Sequence, residues 1–185
     1  MSKKAIVILA KGFEEIEAVT CIDILRRAGI AVTVAGLDKQ EIEGAHGLLI
    51  RTDKRLDAAG DDFDACVLPG GMPGAANLAS SHKLQELLKA FDKKKKIIAA
   101  ICAAPAVVLA PAGILADKSA TCFPGMEDAF GPETAHKEEN VVIDDNIITS
   151  RGPATALPFA LAVAEKLVGP ATKEQLRKAT LFDRL

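Results

Sequence analysis

At 185 residues and 19.4 kDa the chain is long enough for one well-packed core and short for two, so a single domain over 1–185 is expected. Hydrophobic residues make up 49%, and 25 acidic against 23 basic side chains leave a formal net charge of -2, which excludes an overall field for recruiting nucleic acid or an anionic membrane. No stretch approaches the ~20 apolar residues of a membrane-spanning helix.

In chain order, Met1-Ser2-Lys3-Lys4 leads into a short apolar run, Ala5–Ala10, that reads as a first strand and not as a signal peptide. Further apolar, β-branched runs stand at Ala31–Ala35, Leu48–Ile50, Ala65–Leu68 and Ile97–Ile101. Several are apolar at every position, as strands covered on both faces are. Helical patterns lie between them, at Glu14–Ala28 closed by Gly29, at Lys83–Phe91, and from Pro105–Leu109 onward. The remainder reads as Val141–Ile143, an Asp144-Asp145 turn, a strand at Asn146–Thr149, a helix from about Thr155 to Leu167, and a terminal helix over Lys173–Leu185. This alternation predicts an α/β fold, a mostly parallel sheet with helices on both sides. The run Lys93–Lys96 reads as a solvated loop.

The cysteines at 21, 66, 102 and 122 show no C-x-x-C or Cys/His metal spacing, and three lie in apolar runs. A reduced, cytoplasmic protein without structural disulfides is expected.

In open α/β sheets, ligands bind outside the carboxyl ends of the strands. Three such loops stand out: 11–17, 68–74 and 101–105. None carries a phosphate loop or the dinucleotide glycine spacing. Cys102 lies where the run 97–101 stops and Pro105 favours a helix start, so it is placed at a strand-to-helix turn. Ala100, Ala103 and Ala104 leave room for a tight turn, as glycines do around a nucleophile elbow. A buried core cysteine and a reactive one are both compatible with this position. Reactivity sets a requirement: lowering a thiol from ~8.5 to ~6 takes about 3.4 kcal/mol, and a helix N-terminus supplies only ~0.3–1. Hydrogen-bond donors must supply the rest, from the Gly70-Gly71 backbone and from a carboxylic acid kept protonated. Glu14, Glu15 and Glu17 open the first helix. Glu17 shares a face with Cys21, Ile24 and Ala28, while Glu15 shares one with Val19 and Ile22, so periodicity leaves both as partners for the thiol.

The segments Ala-Lys-Gly-Phe-Glu-Glu-Ile-Glu at 10–17, Arg-Arg-Ala-Gly-Ile at 26–30, Val-Leu-Pro-Gly-Gly at 67–71, Ala-Ala-Ile-Cys-Ala-Ala-Pro at 99–105 and Thr-Ser-Arg-Gly-Pro at 149–153 closely resemble the ThiJ/PfpI family, nearest its DJ-1/YajL-like branch. The resemblance implies a flavodoxin-like homodimer with a nucleophilic cysteine at Cys102 and a protonated glutamate at Glu17. It places oxyanion-type backbone donors at Gly71 and Ala103, with Gly70 beside them, and sets Arg27 near the dimer-facing side of the site. Two departures matter. Branches with protease-like or chaperone-like activity commonly have His directly after the cysteine, where this chain has Ala103; some DJ-1-like members have a histidine near the pocket where this chain has Phe123. His46, His82 and His136 fall outside the matched motifs and read as surface residues.

The reading that follows is a cofactor-independent, metal-independent glyoxalase or deglycase acting on 2-oxoaldehydes such as methylglyoxal, or on their early adducts. The alternative is a redox-sensing chaperone or interaction protein in which Cys102 is oxidised to sulfinate. The helix 14–28 carries two apolar stripes, Ile16/Val19/Ile22/Leu25 and Ala18/Cys21/Ile24. The first is expected to meet the sheet, and the excess a second copy of the chain.

Overall fold

The computed structural model describes residues 2–184. The chain runs β1 (Lys4–Leu9), α1 (Glu15–Arg27), β2 (Ala31–Gly36), β3 (Glu41–Glu43), β4 (Leu49–Arg51), β5 (Lys54–Arg55), β6 (Ala65–Leu68), α2 (Gly74–Ala79), α3 (His82–Lys93) and β7 (Ile97–Ile101). It continues through a π-helical turn (Pro105–Leu109), β8 (Ser119–Ala120), β9 (Ala135–His136), β10 (Val141–Asp144), β11 (Ile147–Ser150), α4 (Ala156–Val168) and α5 (Pro170–Ala179). Seven strands form one sheet in the order β10-β11-β7-β6-β1-β2-β5. All pairings are parallel except β10 with β11, joined by a hairpin. Helices α1, α4 and α5 pack together on one side, and α2 and α3 with the Pro105–Leu109 turn on the other.

The three central strands are buried at nearly every residue: Ala5–Leu9, Ala65–Leu68 and Ile97–Ile101. That is the continuous apolar pattern a doubly covered parallel strand requires. Helix α1 stops where expected. Gly29 takes a φ of +74°, and the N–H groups of Gly29 and Ile30 donate to the carbonyls of Arg26 and Leu25, satisfying the last turn. The lysine loop is solvated, with Lys94 and Lys95 near Asp61 and Asp145.

Four expectations are corrected. Leu48–Ile50 is not a strand of the central sheet. It lies around β4, in an antiparallel hairpin with β3 whose outer side chains Leu48 and Leu49 are exposed. The helix expected at Pro105–Leu109 and onward is present but short: Ala103 and Ala104 are already helical, Pro105–Leu109 is wound wide with Ala110 N–H donating to Pro105 O, and only turns follow, through Pro111, which has no N–H, and Gly113 at φ +74°. The terminal helix ends at Ala179 and a 3-10 turn follows over Phe182–Arg184, while Leu185 lies outside the described residues. In α1 the expected inward stripe is split: Leu25 is buried and Ile22 packs against the core, but Ile16 and Val19 face outward, and Ala18, Cys21 and Ile24 are buried in their place. The helix lies against α4 as well as its own strands, and small residues at 18 and 21 permit that close approach.

Candidate active site

The carboxyl ends of β1, β6 and β7 bring the three loops together. Cys102 follows β7 directly. Its N–H donates to Ser150 O at 2.9 Å, extending the β7–β11 ladder by one bond, and its carbonyl accepts from Phe123 N–H at 2.9 Å. Held at both ends, the residue takes a φ of +64°, a left-handed conformation that a side chain rarely adopts and that costs on the order of 1–2 kcal/mol. Buried Ala100, Ala103 and Ala104 surround the turn, and the cysteine remains 8% exposed. Glycine is required opposite: a Cβ on Gly70 would lie 2.7 Å from the Cys102 Cβ and 2.9 Å from the Ala103 nitrogen. The N–H groups of Gly71 and Ala103 face the sulfur. With so short a helix behind Ala103, these two donors, and not a macrodipole, are what the site offers a negative sulfur or oxygen.

Glu17 is fully buried in the first turn of α1. Glu14 sets that turn as N-cap, its Oε2 accepting from Glu17 N–H at 2.8 Å. The Glu17 Oε2 accepts from Gly70 N–H at 2.7 Å. Its Oε1 is buried with no nitrogen or oxygen donor, and Cys102 is the other side chain with which the carboxyl interacts. Burial pushes the Glu17 carboxyl up to about 7, against the opposing pull of the Gly70 N–H and the thiol. Burial and an ionised Glu17 push the Cys102 thiol up to about 12, with the Gly71 and Ala103 N–H groups acting the other way. The two are one coupled acid pair that resists double ionisation. With the proton on Glu17, repulsion of a thiolate disappears and the backbone donors favour it.

Glu15, left open by periodicity, points elsewhere. Its carboxylate accepts from His46 N–H at 2.6 Å, pairs with His46 Nδ1 at 2.8 Å, and presses on Gly44, pinning the β3–β4 hairpin to α1. Glu14, Glu15 and His46 are the only described side chains grouped closely enough to suggest metal ligands, but their oxygens already serve the helix cap and this clamp. His82 lies near Glu86, and His136 packs edge-on to Phe130, so no described histidine reaches Cys102.

Of the expected site residues, Cys102, Glu17, Gly70, Gly71 and Ala103 converge. Gly70 differs in detail: its N–H holds the glutamate and is unavailable to the sulfur. Arg27 is not brought to Cys102 within one chain. It sits ten positions along α1 from Glu17, roughly 15 Å at 1.5 Å per residue, and pairs with Asp23 at 2.7 Å. Cys21, Cys66 and Cys122 are buried, and desolvation raises the thiol of each. Sequence reasoning missed Glu14 as a specific cap; its place two residues after Gly12, before an apolar helix, was the available signal.

The model of the DJ-1/PfpI family matches residues 3–166. The chain is 43% identical over 180 residues to the Parkinson disease protein 7 homolog of Danio rerio, covering 95% of each. It is 40% identical over 180 residues to the glutathione-independent glyoxalase DJR-1.2 of Caenorhabditis elegans, again covering 95% of each. Among solved structures, Drosophila melanogaster DJ-1beta superposes with a TM-score of 0.94 at 43% identity, with 98% of each chain covered. The flavodoxin-like fold is shared with these neighbours.

Proposed function

Because the chain belongs to the DJ-1/PfpI family, we propose that it is a cysteine-dependent enzyme of the glyoxalase and deglycase kind, acting on 2-oxoaldehydes or their early adducts. The observation that carries this reading is the pairing of a left-handed Cys102 with a buried Glu17 whose carboxyl is raised to about 7. One relative of similar length carries the name glyoxalase, which supports the same chemistry.

Cys102 thiolate adds to the aldehyde carbon, forming the C–S bond of a hemithioacetal, while the Gly71 and Ala103 N–H groups stabilise the oxyanion. Glu17, protonated at rest, gives its proton to oxygen and as carboxylate carries the C1 proton to C2, while the hydroxyl proton on C1 passes to the oxygen on C2. The product of that transfer is a thioester of a 2-hydroxy acid. Water then cleaves the C–S bond, returning the thiol, so that 2-oxoaldehyde and one water become one 2-hydroxy acid. No oxidant or reductant is consumed. In the deglycase form the sulfur bonds to the same carbon of an adduct as the bond from that carbon to the amine or thiol breaks, Glu17 giving its proton to the departing group, and the same hemithioacetal results.

Ile16 and Val19 form an exposed apolar strip on α1, Leu48 and Leu49 are exposed on the hairpin that Glu15 clamps to the same helix, and a second copy of the chain is the partner this reading assigns to the strip. The Gly71 and Ala103 donors would equally hold a sulfinate, which keeps the redox-sensing role as a second reading. Purified protein given methylglyoxal, beside Cys102→Ser, separates them. Formation of lactate by the parent alone supports the enzyme. Equal consumption by both proteins overturns it, and selective oxidation of Cys102 by peroxide without turnover favours the sensor.

A further inference from the structure

Resting on that reading, a question remains about which part of the site meets the group that does not react. Two large apolar side chains stand exposed on the loops that meet at the nucleophile: Met72, next in the chain to Gly71, and Phe123, whose own N–H donates to Cys102 O. Phe123 is 45% exposed. An aromatic ring left half in water on a mobile loop would carry no meaning, since single exposed apolar residues are common. Here the backbone that carries the ring is fixed, and one edge of the ring is backed.

Residues Phe123-Pro124-Gly125-Met126 form a tight turn closed by Met126 N–H to Phe123 O at 3.1 Å, with proline at its second position and Gly125 at φ +87° in its third. That arrangement presets the backbone. Gly125 N–H is also held by the Glu127 carboxylate at 2.6 Å. On the other side, a Cβ on Gly152 would stand 3.4 Å from Phe123 Cδ2, so the ring lies flush against the backbone that follows β11 and Ser150, the acceptor of Cys102 N–H. The two hydrogen bonds that hold the nucleophile in its left-handed turn therefore also tie the Phe123 backbone to Cys102 and to the strand end whose Gly152 backs one edge of the ring.

We propose that Phe123 is a specificity-determining residue that receives the substituent on the ketone carbon of the substrate, with Met72 beside the oxyanion donors widening the same apolar surface. The preferred substrates are 2-oxoaldehydes with an aryl or branched alkyl substituent, over glyoxal, which has none. The favourable term is burial of apolar area on both partners, and for a ring on a ring it includes an offset or edge-on aromatic contact.

The test compares kcat/KM for phenylglyoxal and glyoxal in the parent protein, Phe123→Ala and Phe123→Leu. The parent is expected to prefer phenylglyoxal; Phe123→Ala is expected to lose about tenfold of that preference, with Phe123→Leu between them. An unchanged preference in Phe123→Ala overturns the proposal. A second readout does not need turnover: the rate of Cys102 alkylation by N-phenyliodoacetamide relative to iodoacetamide, which should fall several-fold in Phe123→Ala. If the parent consumes neither aldehyde, the enzymatic reading fails while the alkylation ratio still decides the placement of the ring, and an unchanged ratio overturns it. Phe123→Leu serves both measurements if the alanine variant does not fold.

Discussion

Gly70 N–H donates to Glu17 Oε2 at 2.7 Å, while the same glycine leaves no room for a Cβ beside Cys102. One residue of the β6 loop thus aims the acid and admits the nucleophile. By taking one carboxyl oxygen as an acceptor, Gly70 leaves Oε1 as the position for the shared proton, toward the thiol.

Glu17→Gln preserves the acceptor for Gly70 and a donor for Cys102 but removes the transferable proton. Turnover of methylglyoxal is expected to fall at least about a hundredfold, the ordinary range of a general acid–base group, while iodoacetamide still alkylates Cys102 readily. Glu17→Asp retracts the acid by one methylene and should lose most activity too. Glu15→Gln, which affects only the hairpin clamp, should keep turnover. The opposite pattern, with Glu15→Gln inactive and Glu17→Gln fully active, would show the wrong carboxylate to have been assigned.

The raised Glu17 carboxyl also makes stability depend on pH. Its folded value is about 7 against 4.5 for the free group, so between these values the folded chain keeps a proton that the unfolded chain releases. Stability from this group is unaffected below about 4.5, falls as pH rises, and levels off above about 7, with a total loss of about 3 kcal/mol. Urea unfolding of Glu17→Gln should therefore show a gain over the parent that is large at pH 8 and small at pH 5. A gain equal at both pH values would contradict burial of an ionisable Glu17 as its source.

Gly70→Ala introduces a methyl group 2.7 Å from Cys102 Cβ and 2.8 Å from Ile101 O, where neither neighbour is a flexible side-chain end. The variant should lose nearly all turnover and about 2 kcal/mol or more of stability through overpacking. Gly29→Ala has open space around it but a φ of +74°, and should cost about 1 kcal/mol without touching activity. Chemical denaturation and steady-state rates on the two variants distinguish a crowded site from a strained helix end.

Val19 lies on the outward stripe of α1 and is 44% exposed, with Ile16 at 56%. Sedimentation at micromolar concentration should give about twice 19.4 kDa for the parent and a monomer for Val19→Asp, whose charge would be desolvated in an apolar contact. A parent protein that sediments as a monomer removes the dimer from the functional reading.

Strands β1, β6 and β7, the end of α1 at Gly29, and the turn at Cys102 were legible in the sequence because each depends on local signals: unbroken apolar runs, a glycine after the last helical turn, and a proline three residues beyond the cysteine. The resemblance singled out Glu17, but the helical pattern alone could not, since Glu15 and Glu17 both lay on apolar faces. The tertiary structure separated them through residues distant in sequence. The β3–β4 hairpin presents His46 to Glu15, and the β6 loop presents Gly70 to Glu17. The outward turn of Ile16 and Val19 has the same origin: periodicity records that more than one face of α1 is apolar, while the neighbour α4 decides which residues are covered. Leu48–Ile50 carried strand chemistry without a place in the central sheet, because composition does not specify a pairing partner. Phe123 reaches the nucleophile only through a backbone hydrogen bond between residues 21 positions apart, and hydrogen bonds of that kind leave no trace in side-chain pattern.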